Sequence, residues 1–512
     1  MGNLFIMLES TNLIFLDRLV ILLYILNSAL APKSIKAKKR LSNKGEASMK
    51  STWKFSHAIL LLISLLFIIF VSLFILKTEP HLPLFVSIVI LAVISYFKGM
   101  KWKGIEEGFV QGIQKGVQPI IILSLIGMLI GAWMISGTIP TITVWALNIF
   151  QPEYFLLTAI ICCMIISTLI GSTFTTVSTI GVAFIGVAEM ANIPLEIAAA
   201  AIICGATFGD KMSPMSDTTN FASGVASVNI FTHIRHMLNT TVPSILITFL
   251  FFWFISMQIE ISKESSIDIF TLQNTLNEQM SIHAITVISP LLVIILAILK
   301  RPVIPSLIAG IVSAGIIAFF LQGVNIGHFL QVLQNGPSLS TGVEEVDRMI
   351  NRGGLQSMMW SVSLVMIAFA FGGLLEKSGV IHALLEGLKN QVKTKGQVIF
   401  STVLSSIGVN IVTGEQYLSI LIPGQSFKEM YQRYQIPLPY LSRSVEDAGT
   451  LINPLIPWGV SGAFLAATLG VDVIEYLPYA IFLYLSPIFS IVFGFRLSSK
   501  SKQHPDDLKN VS

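Results

Sequence analysis

Long apolar stretches separated by short polar segments recur along most of this chain. Ten of them approach or reach the roughly 20 residues that an α-helix needs to cross a bilayer. They cover residues 58–76, 82–97, 119–135, 155–170, 237–257, 282–299, 303–321, 358–375, 397–412 and 474–495. One soluble core cannot bury so many apolar helices, so the pattern predicts an all-α polytopic membrane protein with about 10–12 transmembrane helices.

The chain also contains two related halves. The segment GATFGDKMSP at 205–214 corresponds to AGTLINPLIP at 448–457. The matched pairs at this same offset are Gly171 with Gly414, Gly181 with Gly424, Pro194 with Pro437, Thr207 with Thr450 and Pro214 with Pro457. Apolar segments interrupted by Gly or Pro at corresponding places of two halves indicate the binding site of a secondary transporter.

Positive charges give the two halves opposite orientations in the membrane. Lys54 precedes the first span, which places the start of the first half inside. Lys300 and Arg301 lie between the first two spans of the second half, so that half begins outside. We therefore predict two inverted-topology repeats with discontinuous helices and re-entrant hairpins. Lys428 and Arg433 do not fit, because they precede the second broken helix where this scheme expects the outside.

These patterns divide the chain into five regions. We assign 50–258 to the first transmembrane repeat and 282–496 to the second. The acidic segment 259–281 is predicted to be an extracytoplasmic loop, and 497–512 a cytoplasmic tail. Residues 1–48 are an N-terminal extension outside the repeat, interpreted either as an extra anchor helix or as upstream sequence preceding a start at Met49.

Two further stretches mix charged and apolar residues at helical spacing. They cover 101–118 and 325–335. This pattern is typical of helices that lie in the membrane interface. We therefore predict two interfacial amphipathic helices there and assign no catalytic role to their acidic residues.

The interrupted segment of the first half concentrates polar chemistry in an apolar setting. Between positions 210 and 220 there are two acids, four hydroxyls and one amide, directly after an alanine-rich helix. Pro214 breaks that helix and frees backbone carbonyls, which together with carboxylates and hydroxyls are ligands for Na⁺. A solvated loop outside the membrane is the alternative interpretation. The predicted ion-binding residues are Asp210, Ser213, Asp217, Thr218, Thr219 and Asn220, with Na⁺ at Asp210 or Asp217.

The second half supplies a complementary but unequal set. Asp447, Thr450 and Asn453 precede Pro454 and Pro457, which we predict to break the helix. Glu446 stands beside Asp447. Asn453 occupies the position that corresponds to Asp210, so the two halves differ in charge.

A second Gly-centred interruption lies upstream of each break. In the first half it is Gly171, Ser172 and Thr173, and in the second it is Gly414 and Glu415. We interpret both as hairpin tips or helix breaks. An acidic residue at membrane depth is costly unless it is used, so Glu415 is predicted to handle the coupling ion or a proton.

Two histidines are separate candidates for regulation. His233 and His236 are three residues apart, which places them on one face of a helix. Histidine changes charge near neutral pH, so they are candidates for pH sensing. The alternative is that they anchor the helix at the interface.

Composition restricts the remaining possibilities. The chain has 512 residues, of which 53% are hydrophobic and 12% charged, with a net charge of +4. No basic run interleaved with aromatics indicates nucleic acid, and the three cysteines lack the spacing of a metal site. The sequence has neither a Walker loop nor a zinc-protease motif. We therefore expect no enzyme activity and no cofactor, so that transport draws on ion gradients.

The first-half motif, GATFGDKMSPMSDTTN at 205–220 with FTHIRHM at 231–237, resembles the NhaC-type Na⁺/H⁺ antiporters. The segment EDAGT at 446–450, followed by PLIPW at 454–458, is similar to the second motif of that family. The resemblance covers about residues 50–495. It implies a multi-pass protein of the bacterial inner membrane that expels Na⁺ in exchange for H⁺. It also implies that Glu446, Asp447, Thr450 and Pro457 are the counterpart of the first-half site.

Rival functions remain open from the residues alone. The family includes relatives that exchange malate and protons for lactate and Na⁺, and in such a protein Lys211 would be the counter-ion of the substrate. A channel-like pore and an intramembrane enzyme with an Asp210–Asp217 acid pair are more distant alternatives. The expected partners are Na⁺, H⁺ and the lipid bilayer, with no nucleic acid. Li⁺ and small carboxylates remain alternative substrates, and a homodimer is one option for assembly.

Overall fold

The computed structural model describes residues 53–149, 154–191, 193–258, 274–343, 346–347 and 350–500. Every regular element among these residues is a helix, as the all-α class predicts. The predicted extension 1–48, the larger part of the loop 259–281 and the larger part of the tail 497–512 lie outside the described residues.

Nine helices form the described part of the first half. They are α1 (Phe55–Phe70), α2 (His81–Phe97), α3 (Trp102–Ile135), α4 (Thr138–Ile149), α5 (Phe155–Ile170), α6 (Thr173–Met190), α7 (Leu195–Met212), α8 (Asp217–Ala226) and α9 (Ile230–Gln258). The helix α6 contains a π-helical turn at Val177–Gly181.

The second half continues in the same numbering. Its helices are α10 (Ile288–Ile298), α11 (Val303–Leu321), α12 (Ile326–Asn335), α13 (Met359–Lys377), α14 (Val380–Lys389), α15 (Lys395–Thr413), α16 (Gln416–Arg433), α17 (Leu438–Gly449), α18 (Val460–Leu469), α19 (Val473–Tyr476) and α20 (Ile481–Lys500). Short 3₁₀ turns at Ala284–Val287 and Leu355–Met358 precede α10 and α13.

Seven of the described helices are long and apolar enough to cross a membrane, namely α1, α3, α6, α9, α11, α13 and α15. The pair α17 and α18 passes the same test together but is bent by 44° at its break. Four shorter apolar helices, α2, α5, α10 and α20, accompany them. Large apolar side chains on the outer helices, such as Leu60 at 65% exposure, face outward as expected for contact with lipid.

Two predicted boundaries are wrong. The stretch 474–495 is divided into α19 and α20, because Pro478 lies in the turn between them and lacks a backbone N–H for a continuous helix. The stretch 101–118 is no separate interfacial helix, because it forms one continuous helix, α3, with the span that follows. Gly112 on this helix packs against α13 so closely that an added Cβ would lie 2.0 Å from the carbonyl oxygen of Phe369.

The helices α5 and α15 end in the same way in the two halves. Each stops at a glycine in the left-handed region, Gly171 with φ 74° and Gly414 with φ 66°. The next residue is extended and caps the following helix with its side chain. Ser172 accepts from the N–H of Thr175, and Glu415 accepts from the N–H of Leu418. Each half therefore contains a sharp hairpin with a polar residue at its tip.

These hairpin tips pack against the breaks of the next helix pair. An added Cβ at Gly171 would lie 2.7 Å from the backbone N of Ser216, in the break between α7 and α8. At Gly414 the corresponding neighbour is the carbonyl oxygen of Trp458, 2.9 Å away, in the break between α17 and α18. The four interruptions therefore meet in two pairs, one pair in each half.

Candidate ion-binding cavity

A cavity of about 290 Å³ lies among these interruptions and is lined by residues of both halves. Its polar lining consists of Lys115, Gln118, Ser172, Thr173, Thr207, Asp210, Lys211, Asp217, Thr218, Glu415, Gln416, Tyr417, Glu446, Thr450 and Ser461. Four of these side chains are carboxylates and two are lysines. Because the helix breaks bring these charged and polar residues together, this cavity is the candidate ion-binding site.

Asp210 lies in the last turn of α7 and reaches the hairpin tip of its own half. Its Oδ2 accepts the backbone N–H of Thr173 at 3.0 Å and the Thr173 hydroxyl at 2.8 Å. Its Oδ1 is buried and makes no hydrogen bond of standard geometry among the described residues, although the Ser216 hydroxyl interacts weakly with this carboxylate. Buried carboxylate oxygens are normally satisfied, so this oxygen is available to an ion or a proton.

Asp217 begins α8 and is exposed. One carboxylate oxygen accepts the N–H of Thr218 at 2.9 Å, and the other accepts the hydroxyl of Tyr417 from α16. Both oxygens of Asp217 therefore have a donor, in contrast to those of Asp210. Asp217 lies at the rim of the cavity, and Asp210 lies deeper.

Glu446 on α17 is fully buried on the cavity wall. Its Oε1 lies 3.4 Å from the hydroxyls of both Thr218 and Thr219. Its Oε2 has no partner among the described residues. A carboxylate of the second half is thereby held beside hydroxyls of the first.

Asp447 and Lys211 form a buried ion pair behind the cavity. The Lys211 ammonium donates to Asp447 and, at 3.0 Å, to Ser486 Oγ. Asp447 also accepts from Ser486 at 2.8 Å and from Thr240 at 3.4 Å. Lys211 reaches the cavity wall but Asp447 does not, so the predicted ion-binding residue Asp447 faces a lysine.

Two residues from other helices complete the charges of the cavity. Glu415 is buried, with its carboxylate capping α16 through the N–H of Leu418 at 2.7 Å. Lys115 of α3 lines the cavity and forms an ion pair of 2.6 Å with Glu376. Each lysine of the wall is therefore already paired with a carboxylate.

Several predicted ligands instead hold the helix breaks in shape. The amide of Asn453 donates to Asn410 Oδ1 at 2.7 Å and to the carbonyl of Gly414 at 3.0 Å, and it accepts the N–H of Ser461 at 2.7 Å. Asn220 donates to the carbonyl of Pro214 at 2.9 Å. Both polar atoms of the Asn453 amide, and the amide nitrogen of Asn220, are therefore occupied by the protein.

The predicted residues divide between the wall and its support. On the wall are Asp210, Asp217, Thr218, Glu415, Thr450, Ser172, Thr173 and Pro454. Outside it are Ser213, Thr219, Asn220, Asp447, Asn453, Gly171, Pro214, Gly414, Pro457, His233 and His236. His233 is buried against Ser442, with Nδ1 2.8 Å from its hydroxyl, and the His236 ring packs edge-on against Tyr440. The two histidines are therefore not part of the cavity.

Sequence reasoning missed Tyr417, Lys115 and Ser486. Tyr417 follows Glu415 at the second hairpin tip, so its position next to a predicted polar tip was a usable signal. Lys115 lies within the stretch 101–118, which the sequence pattern predicted to be an interfacial helix without a functional role. Ser486 lies within an apolar helix and carries no sequence signal for its contact with Lys211.

Comparison with known proteins adds independent information. Residues 205–496 match the model of the Na⁺/H⁺ antiporter family. The chain is 56% identical over 442 residues to the Na⁺/H⁺ antiporter NhaC of Bacillus subtilis, covering 86% of this chain and 98% of that protein. It is 50% identical to the NhaC protein of Alkalihalophilus pseudofirmus, covering 85% and 94%. The malate-2H⁺/Na⁺-lactate antiporter of Bacillus subtilis is 33% identical, covering 81% and 89%.

Proposed function

Since this chain belongs to the Na⁺/H⁺ antiporter family, we propose that it exchanges Na⁺ for H⁺ across the cell membrane by alternating access to the cavity between its helix breaks. The family consists of transporters, which is consistent with a sequence that carries neither a Walker loop nor a zinc-protease motif. The proposal extends the family assignment to particular residues of this chain.

The charge balance of the cavity is the observation that carries this proposal. Asp210, Asp217 and Glu446 face the cavity without a cationic partner among the described contacts. The two lysines of the wall are paired with Glu376 and Asp447 instead. A cavity with an excess of carboxylates attracts cations. The burial of Glu446 and of Asp210 Oδ1 makes these two carboxylates bind either a proton or an ion.

We assign the deep ion position to the carboxylates with unpartnered oxygens. Asp210 Oδ1 and Glu446 Oε2 are buried on the same wall, and the hydroxyl of Thr218 lies beside Glu446. Carboxylate and hydroxyl oxygens suit Na⁺, which is the transported substrate. Na⁺ and protons compete for these oxygens, so that a proton entering from one side displaces Na⁺ to the other.

The inverted repeat remains part of this proposal, and the corresponding helix ends support it. The hairpin α15–α16 begins and ends on the same side. Val392 lies just before α15 and Tyr434 just after α16, and the Tyr434 hydroxyl donates to the carbonyl of Val392 at 3.1 Å. If this hairpin enters from the inside, Lys428 and Arg433 lie inside, which removes the misfit in the charge pattern. The first hairpin then enters from the outside, as inverted repeats require.

The organic-acid alternative has less support. A carboxylate substrate needs a cation that can pair with it, and Lys211 was the expected counter-ion. Lys211 is 2% exposed and is held by Asp447 and Ser486. An organic anion would have to break a buried ion pair to reach this lysine, which is costly.

Proton movement in proteoliposomes tests the proposal. We would impose an inside-acid gradient, add Na⁺, and follow the dequenching of a pH-sensitive dye. Na⁺ alone should collapse the gradient in the wild type, and Asp210→Asn or Glu446→Gln should abolish this response. Glu386→Gln, an exposed acid on α14, is the matched control and should leave it intact.

Two outcomes contradict the proposal. The first is a full Na⁺ response in both cavity variants, which would place the ion elsewhere. The second is a response that appears only when malate or lactate is added, which would make the protein an organic-acid antiporter.

A further inference from the structure

The helices α8 and α16 come from different halves and are joined at both ends. At one end the Tyr417 hydroxyl donates to Asp217. At the other end the Lys428 ammonium donates to Ser227 Oγ at 2.8 Å and to the carbonyl of Val225 at 3.3 Å. The start of α8 thus lies beside the start of α16, and the end of α8 beside the later turns of α16. Only the Tyr417 contact reaches the cavity.

The ring of Tyr417 is positioned separately from its hydroxyl. It packs edge-on against Phe221, one turn along α8, with 5.3 Å between the ring centres. This ring contact is independent of the hydrogen bond. Replacing the tyrosine by phenylalanine therefore removes one donor and keeps the packing.

The Tyr417 hydroxyl donates to Oδ2 of Asp217, the carboxylate at the rim of the cavity. The N–H of Thr218 already donates to the other oxygen of Asp217. An ion that enters the cavity and binds Asp217 neutralises its charge, and a hydrogen bond to a neutralised carboxylate is weaker than one to a charged carboxylate. Binding of the ion and the bond from Tyr417 therefore oppose each other.

We propose that Tyr417 is a positioning residue that competes with Na⁺ for Asp217 and thereby sets the affinity of the cavity rim for the ion. This inference rests on the proposed Na⁺ exchange. The other charged groups on the cavity wall with Asp217 are Lys115 on α3, Asp210 and Lys211 on α7, Glu415 at the start of α16 and Glu446 on α17. None of them donates to Asp217 among the described contacts, so Tyr417 is the side-chain donor to be displaced there.

The test is the variant Tyr417→Phe, with Na⁺-driven proton movement measured in proteoliposomes at fixed pH. We expect the half-saturating Na⁺ concentration to fall by about three- to tenfold, the range for the net loss of one ordinary hydrogen bond, because Asp217 is exposed to solvent. The maximal rate should change by less than about twofold, because a change confined to half-saturation reports ion binding. Equilibrium binding of ²²Na⁺ to the purified protein should tighten to the same extent.

Two control variants separate competition from a general weakening of the helix contact. Lys428→Gln loosens the other end of the α8–α16 contact but leaves both oxygens of Asp217 with their donors. Phe221→Leu disturbs the ring contact and keeps the hydroxyl. Both should retain the wild-type half-saturating Na⁺ concentration.

An unchanged or raised half-saturating concentration in Tyr417→Phe would overturn the inference. An equal shift in Lys428→Gln would also overturn it, because the helix contact would then be the cause. Failure of the proposed function has a different signature, since the wild type itself would show neither Na⁺-driven proton movement nor ²²Na⁺ binding.

Discussion

The buried ion pair between Lys211 and Asp447 should respond unequally to removal of its two members. The side chains are 1% and 0% exposed. Removing one charge leaves the other buried without its direct ion-pair partner, which typically costs about 3–5 kcal/mol, whereas replacing both can be nearly neutral. We therefore expect Lys211→Met and Asp447→Asn each to be strongly destabilising and the double variant to recover most of the loss.

The neighbours of the pair determine which single variant is worse. Without Lys211, Asp447 still accepts from Ser486 at 2.8 Å and from Thr240 at 3.4 Å. Without the Asp447 charge, the ammonium of Lys211 faces a neutral amide and keeps the contact to Ser486 and a longer-range attraction to Glu446. The buried guanidinium of Arg443 also loses the nearby carboxylate. A hydrogen bond to a charged group contributes about 1.5–3 kcal/mol. Lys211→Met should therefore lie near 3 kcal/mol and Asp447→Asn nearer 5 kcal/mol.

Thermal unfolding of the purified protein in detergent would measure these effects. The melting temperatures should follow the order wild type, double variant, Lys211→Met and Asp447→Asn, from highest to lowest. The exposed pair between Lys377 and Glu107, 3.4 Å apart, is the matched control, and Lys377→Met should cost less than about 1 kcal/mol. Single variants that melt like the wild type, or a double variant as unstable as the worse single one, would refute the reasoning.

Two further predictions concern the helix breaks. Gly171→Ala should destabilise the protein by more than about 1 kcal/mol, because φ is 74° and the new Cβ would lie 2.7 Å from the N of Ser216. Gly408→Ala, where nothing lies within 4 Å, should leave the melting temperature unchanged or raise it, and equal losses would contradict the argument. Asn453→Leu should lower the melting temperature by the equivalent of about 2–4 kcal/mol, because it leaves buried backbone groups unpaired. The half-saturating Na⁺ concentration of the folded fraction should stay as in the wild type, and a large rise would instead make Asn453 an ion ligand.

Helix positions were predictable where apolar runs end at charges or helix-breaking residues. The prediction 303–321 coincides with α11, because Lys300, Arg301 and Pro302 mark its start. The long helix α3 was not predictable from hydropathy alone. Its first half has polar residues on one side and glycines on the other, and the glycines pack against α13. Hydropathy counts such a glycine face as weakly polar, although it is buried.

Part of the cavity lining was predictable from the sequence, and the pairing among its residues was not. Asp210 and Glu415 stand out as acids in apolar sequence beside helix breaks, and both line the cavity. Lys211 and Asp447 are 236 positions apart. From the sequence alone, Asp447 looks as available to a cation as Asp210 does, and Lys211 looks available to an anion. Only the tertiary structure brings the two side chains together. Local sequence therefore identifies which residues are unusual, whereas long-range contacts determine which of them keep a free oxygen.

Asp210 and Asn453, which correspond in the sequence comparison of the two halves, each hydrogen-bond the hairpin tip of their own half, but only Asp210 carries a charge. Asp210 bonds Thr173 at the hairpin tip of its half, and Asn453, at the equivalent position, bonds the carbonyl of Gly414 at the other tip. The amide of Asn453 also bonds Asn410 and Ser461, which occupies both its oxygen and its nitrogen. The carboxylate of Asp210 uses one oxygen for the tip and keeps the other unpartnered. In the proposed function, the carboxylate of Asp210 holds the hairpin tip with one oxygen and the cation with the other, so that a charge is needed at only one of the two corresponding positions.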